Sequence, residues 1–165
     1  MRKRVIRAGE IEIEDSEGRV RARFGVSNED LPFMSFYGAD DKLRARFGVQ
    51  PDGSAGLAIA DDEGKVRATF GLFSDGSASM AMVDRNGKVR ARIGLAAEGS
   101  PILRLLNKEG ELRAIMGLTA DGTPVMQFLD AKGEPEWTVP SSFSPSHDVP
   151  GETPKPSGPK ARERG

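Results

Sequence analysis

"DRNGKVRARIGL", residues Asp84 to Leu95, decides the fold because the chain writes it repeatedly. "DSEGRVRARFGV" begins at Asp15, "DDEGKVRATFGL" at Asp61 and "NKEGELRAIMGL" at Asn107. The turn glycines Gly18, Gly64, Gly87, Gly110 and Gly133, with Asp41 in the remaining slot, fall 23 residues apart without an insertion. Six units therefore span residues 5 to 140, and a fixed period of this length marks a repeat architecture.

Working outward from the turn, apolar residues alternate with polar ones. The segment before it carries Ile11 and Ile13, Leu57 and Ile59, Met80 and Met82, or Leu103 and Leu105 in equivalent places. The segment after it carries Val66-Ala68-Phe70-Leu72 or Val89-Ala91-Ile93-Leu95. Period-two alternation over such short runs predicts strands with one apolar face, two per unit. An all-β domain over residues 1–140 follows. Asp or Asn opens the turn at Asp15, Asp61, Asp84, Asn107 and Asp130, where a short side chain can hold backbone N–H groups. Turn chemistry, rather than acid catalysis or calcium binding, explains that series.

Two architectures carry this signature: an antiparallel β-meander of hairpins, and a parallel β-solenoid. In a solenoid Arg21, Arg44, Arg67, Arg90 and Arg113 would stack about 4.8 Å apart, where like charges repel. In a meander another strand separates them, so the meander is favoured. A two-residue loop at Asn86-Gly87 would set Ala81 opposite Arg92, Val83 opposite Arg90, Arg104 opposite Ile115 and Leu106 opposite Arg113. It would set Glu12 opposite Arg23 and Glu14 opposite Arg21 in the first unit, and place Val89 beside Met80, Met82, Ala91 and Ile93. A bulged turn would slip the register by one and send the two apolar sets to opposite faces. The apolar face then requires closure into a barrel, a sandwich, or contact with another subunit; a single-layer sheet is the remaining form.

The 23-residue hairpin unit is similar, in period and architecture, to the single-layer sheet repeats of a spirochaete outer-surface lipoprotein. The "DxxGKVRAxxGL" units resemble those of a group of bacterial proteins of unassigned activity, a likeness that spans all six units and implies no functional residue.

The last unit departs from the pattern. "GEPEWTVP" places Pro135 and Glu136 where Val and Arg stood and Trp137 in the alanine slot, as expected of a terminal repeat that caps the sheet. Residues 141–165, rich in Pro and Ser and ending in Lys160, Arg162 and Arg164, read as a disordered tail.

Composition narrows the function classes. Lysine and arginine number 24 against 25 acidic residues, so net charge alone argues for neither nucleic acid nor a membrane surface. Cysteine is absent, which removes disulfides, thiolate metal sites and cysteine nucleophiles. The single histidine, His147, lies in the tail, so no histidine triad or multi-histidine metal site can be assembled. No phosphate-binding glycine loop is present. No catalytic, cofactor or metal residue is expected. The opening stretch lacks an apolar run of signal-peptide length, and no apolar segment reaches the length of a membrane span, which predicts a cytoplasmic protein. Secretion by a route that needs no such signal fits the same sequence.

Two functions remain. The first is a structural scaffold that self-associates or binds a protein partner through repeat surfaces. The second is a binding module for an anionic polymer, a nucleic acid or an acidic polysaccharide, held by Arg21, Arg23, Arg44, Arg46, Arg67, Arg90, Arg92 and Arg113 on the face opposite the apolar one.

Overall fold

The computed structural model describes residues 6–95 and 98–140. The predicted tail and His147 lie outside the described residues. The chain forms twelve strands: β1 (Glu10–Glu14), β2 (Val20–Val26), β3 (Pro32–Tyr37), β4 (Leu43–Val49), β5 (Ala55–Ala60), β6 (Val66–Leu72), β7 (Ala78–Val83), β8 (Val89–Leu95), β9 (Pro101–Leu106), β10 (Leu112–Leu118), β11 (Pro124–Leu129) and β12 (Pro135–Val139). They make one antiparallel sheet in sequence order, a meander. Each strand touches only its neighbours in sequence. The sheet is therefore a single open layer, and the solenoid, barrel and sandwich are set aside. Among the described residues no helix is long and apolar enough to cross a membrane.

The turns within units are not two-residue loops. In the fourth unit Gly87 N donates to Asp84 O at 3.0 Å and Asp84 N to Lys88 O at 2.8 Å, which encloses three residues. The Asp84 carboxylate accepts from Asn86 N at 2.9 Å and Lys88 N at 3.1 Å. Gly87 has φ 79°, where a side chain would be strained. Carried into the strands unchanged, this register would set arginines opposite methionines.

A second irregularity restores the pattern. Met82 pairs with Ala91, but Val83 pairs with Val89, so Arg90 is an extra residue in a β-bulge. The same bulge passes over Arg21, Arg44, Arg67, Arg113 and, in the last unit, Glu136. Several expected pairs thus change. Glu14 faces Val20, Val83 faces Val89 and Leu106 faces Leu112, while Ala81–Arg92, Glu12–Arg23 and Arg104–Ile115 stand as predicted. Val89 moves to the arginine side with Val83. The bulged turn does slip the register, but the bulge at the arginine cancels the slip before the apolar rows begin. Turns between units, such as Gln50 to Ser54, carry no such bulge, because their register already sets Phe47 opposite Leu57.

One apolar row therefore crosses the whole sheet, with Phe47, Leu57, Phe70, Met80, Ile93 and Leu103 at its centre. A second row alternates large side chains with alanine: Ile59, Ala68, Met82, Ala91, Leu105, Ala114. In a single chain this face is not a core. Phe70 is 61 % exposed and Met82 55 %, because no second layer covers them.

The closely packed side is the other one. Ser35, Ala81, Ile115, Val125, Gln127 and Leu129 are buried there, the first three directly opposite arginines. Strands also approach one another closely on this side. A Cβ on Gly71 would lie 2.9 Å from the Ala55 carbonyl oxygen and 3.3 Å from Gly56 Cα.

Candidate functional site

The eight arginines singled out from sequence share one face but not one role. Five sit in the bulges, and each is drawn into its own turn and the next hairpin. Arg21 Nε meets Asp15 at 2.8 Å, while its Nη1 meets Asp41 at 2.7 Å and the Gly38 carbonyl at 2.5 Å. Arg44 grips both oxygens of Asp40 and the Asp61 carbonyl, the last at 2.7 Å. Arg67 Nε donates to Val83 O at 2.7 Å and Arg90 Nε to Leu106 O at 3.0 Å, each with its turn aspartate within 3.5 Å. Arg113 reaches the Glu111 carboxylate and the Ala131 carbonyl. These five are staples between consecutive units.

Mid-strand arginines form a separate row. Arg23 pairs with Glu12 at 2.8 Å and lies 5.7 Å from the Tyr37 ring centroid. Arg46 lies 5.0 Å from the Phe33 centroid, a cation–π distance. Ser35 stands between Arg23 and Arg46, and Ala58, Thr69 and Ala81 fill the row from Arg46 to Arg92. Small residues thus keep these cations apart.

The row breaks this rule once. Across the β8–β9 seam Arg92 faces Arg104 directly. Both are half-buried, and burial lowers the pKa of each; for Arg104 the charge of Arg92 lowers it further. Arg104 has no ion pair among the described residues. Sequence reasoning passed over Arg104 as a site residue because it read register within units, where Arg104 faces Ile115. The signal lay in the seam between units.

Turn aspartates carry the other electrostatic feature. The backbone N–H of Arg19 holds the Asp15 carboxyl far below the usual range, burial opposes this, and the Arg21 guanidinium adds to the lowering. Asp84 is lowered first by the N–H of Lys88. Among the described residues no three His, Cys, Asp or Glu side chains are grouped to hold a metal ion. Trp137, in the last unit's alanine slot, packs against Phe128 with centroids 5.5 Å apart. Beside it, Ile93, Leu103, Met116, Met126 and Val139 line a shallow apolar depression of about 600 Å³.

No protein-family model matches the chain, and no curated protein does. Among solved structures the chain is similar to a mutant of S. aureus TarM, crystallised in complex with fondaparinux, alpha-GlcNAc-glycerol and UDP. The identity is 16 % and the TM-score 0.41, over 70 % of this chain and 21 % of that one. The chain thus spans about a fifth of that protein's length.

Proposed function

We propose that the protein is a non-enzymatic structural component that assembles with copies of itself through the apolar face. The observation that carries this reading is the uncovered face of a twelve-stranded single-layer sheet. Strands about 4.8 Å apart and about 20 Å long give a footprint of roughly 1,000 Å². A standard interface buries about 800 Å² per partner, so the face alone is large enough for stable association. Exposed apolar patches of this extent mark interaction surfaces.

The occupant best suited to this face is a second copy. The central apolar rows hold no charged side chain, so the partner must be equally apolar and equally broad. Alternation of Met82 or Leu105 with Ala68, Ala91 or Ala114 makes the face self-complementary, large side chains of one copy resting over alanines of the other. The sheet's edges are less suited to extension. β12 begins at Pro135 and is followed by Pro140, which lack N–H donors, while exposed β1 carries Glu10, Glu12 and Glu14.

Light scattering on a size-exclusion column at low and high salt tests this reading. A salt-resistant dimer or trimer is expected, and Met82→Asp should dissociate it while the strand signal in far-UV circular dichroism persists. A monomer at both salts overturns it. An anionic polymer along the arginine face draws less support, because the five bulged arginines are occupied by their own turns and neighbouring carbonyls.

A further inference from the structure

We propose that the assembly is a closed dimer, apolar face to apolar face, whose two-fold axis runs along the strands between β6 and β7. This rests on association through that face and adds which residues meet.

Three rows of side chains cross the apolar face, and the outer two alternate large and small in opposite phase. Beside the turns within units, the large members Ile59, Met82 and Leu105 stand on odd strands, with Ala68, Ala91 and Ala114 on even ones. Beside the turns between units, Leu72, Leu95 and Leu118 stand on even strands, next to Ala78, Pro101 and Pro124 on odd ones. Leu72 and Met82 are each about half exposed, so both rows are open to a partner. A copy that lays odd strands over even ones sets large over small in both rows at once. An axis lying on β7 would instead stack Met82 on Met82 and Ala68 on Ala91, overpacking one site and leaving a void at the next. Among axes between strands, the one between β6 and β7 covers all twelve; moving it by one strand uncovers two strands in each copy.

An axis across the strands would match the outer rows equally well, laying each strand over its own counterpart. The middle row distinguishes the two. Its phenylalanines, Phe24, Phe47 and Phe70, all stand on the first six strands. The axis along the strands sets them over Met126, Leu103 and Met80, so aromatic meets aliphatic and the layer keeps one thickness. Two of these pairs bring a methionine sulfur to an aromatic ring. The axis across the strands would stack Phe on Phe at one end only and wedge the sheets apart. In the outer rows, Ile13 over Trp137 is large on large, at the edge strands. Sheets of equal twist pack about 10 Å apart with strand directions within about 30°, so the register is tightest over β5 to β8. A two-fold contact of this kind buries the face in both copies and closes the assembly.

The chain has no cysteine, so spin labels can be attached to single cysteines replacing Ser74, in the β6–β7 turn on the axis, or Ser16, in the β1–β2 turn. Pulsed dipolar spectroscopy should give a short distance between the two Ser74→Cys labels, set by the gap of about 10 Å between sheets and the label arms. The two Ser16→Cys labels should lie ten strand spacings apart, roughly 48 Å. Equal distances at the two sites overturn the proposal. A volume swap gives a second reading, because Ala91 would lie over the partner's Ile59, three strands away within its own chain. Ala91→Ile should weaken the dimer about tenfold, and adding Ile59→Ala should restore it to within about threefold, with circular dichroism unchanged. Absence of rescue overturns the axis, and either measurement decides alone if the other's variants lose the fold or the dimer. A monomer overturns the assembly reading together with this one. A trimer or larger species leaves that reading standing and overturns the closed dimer.

Discussion

Arg67 donates its Nε–H to the carbonyl of Val83, 16 residues later and one hairpin further along the sheet, at 2.7 Å. Ala68–Met82 is the last backbone pair of β6 and β7, and one step beyond it the side chain takes the place of the ladder. Arg90 repeats the contact on Leu106, and Arg21 and Arg44 make its counterpart on Gly38 and Asp61. Each of the five arginine bulges thus frees its side chain to bind its unit to the next.

Replacing Arg67 by Met should cost about 1–2 kcal/mol, the range for a hydrogen bond from a charged donor discounted for partial exposure. Chemical denaturation of the wild type and the variant measures it. An unchanged midpoint would show that the contact contributes nothing net.

Deleting Arg67 should preserve the fold, because Val66 and Ala68 would still meet Ala60 and Ile59 with the bulge removed. Deleting Thr69 should not, since the slip would bring Arg67 onto the apolar face opposite Ile59. Circular dichroism melts of the two single-residue deletions distinguish them, and equal stability of both would refute the role assigned to the bulge.

Gly71→Ala should destabilise the protein by about 1–3 kcal/mol through overpacking. The new methyl group meets the Ala55 carbonyl and Gly56 Cα, backbone atoms that cannot swing aside like a side-chain tip. Denaturation midpoints test this, and a neutral result would mean that the neighbouring strand yields.

Stability should fall with acid. Hydrogen bonds depress the carboxyls of Asp15 and Asp84, led by the N–H groups of Arg19 and Lys88, and that of Asp52, led by Ser54. Unfolded aspartate titrates near about 3.9, so the unfolded chain binds protons first. The stabilisation is full above that value and is lost as pH drops toward the lower folded values. Asp84→Asn keeps an acceptor, as Asn107 does naturally for Glu109 and Glu111, and should flatten the acid slope. Melting curves from pH 7 to pH 2 measure it, and an unaltered slope in the variant would remove Asp84 from the account.

The sequence by itself determined the repeat and the strand count, because period 23, period-two alternation and turn residues are local properties of the chain; it favoured the antiparallel meander over the solenoid, and strand pairing in the structure decided between them. The pairs beyond the bulge, Glu12–Arg23 and Ala81–Arg92, stand where a two-residue loop would set them, because the bulge cancels the slip of the longer turn. The bulge itself was not legible. Val89 and Arg90 look like ordinary alternating strand residues, and only hydrogen bonding across the hairpin decides which of them is passed over. Tertiary structure alone decided that the sheet stays open, since an apolar face in sequence demands cover without saying whether the same chain supplies it. It alone joined Arg92 to Arg104, because a seam between units is set by how neighbouring hairpins pair, and no single unit contains both residues.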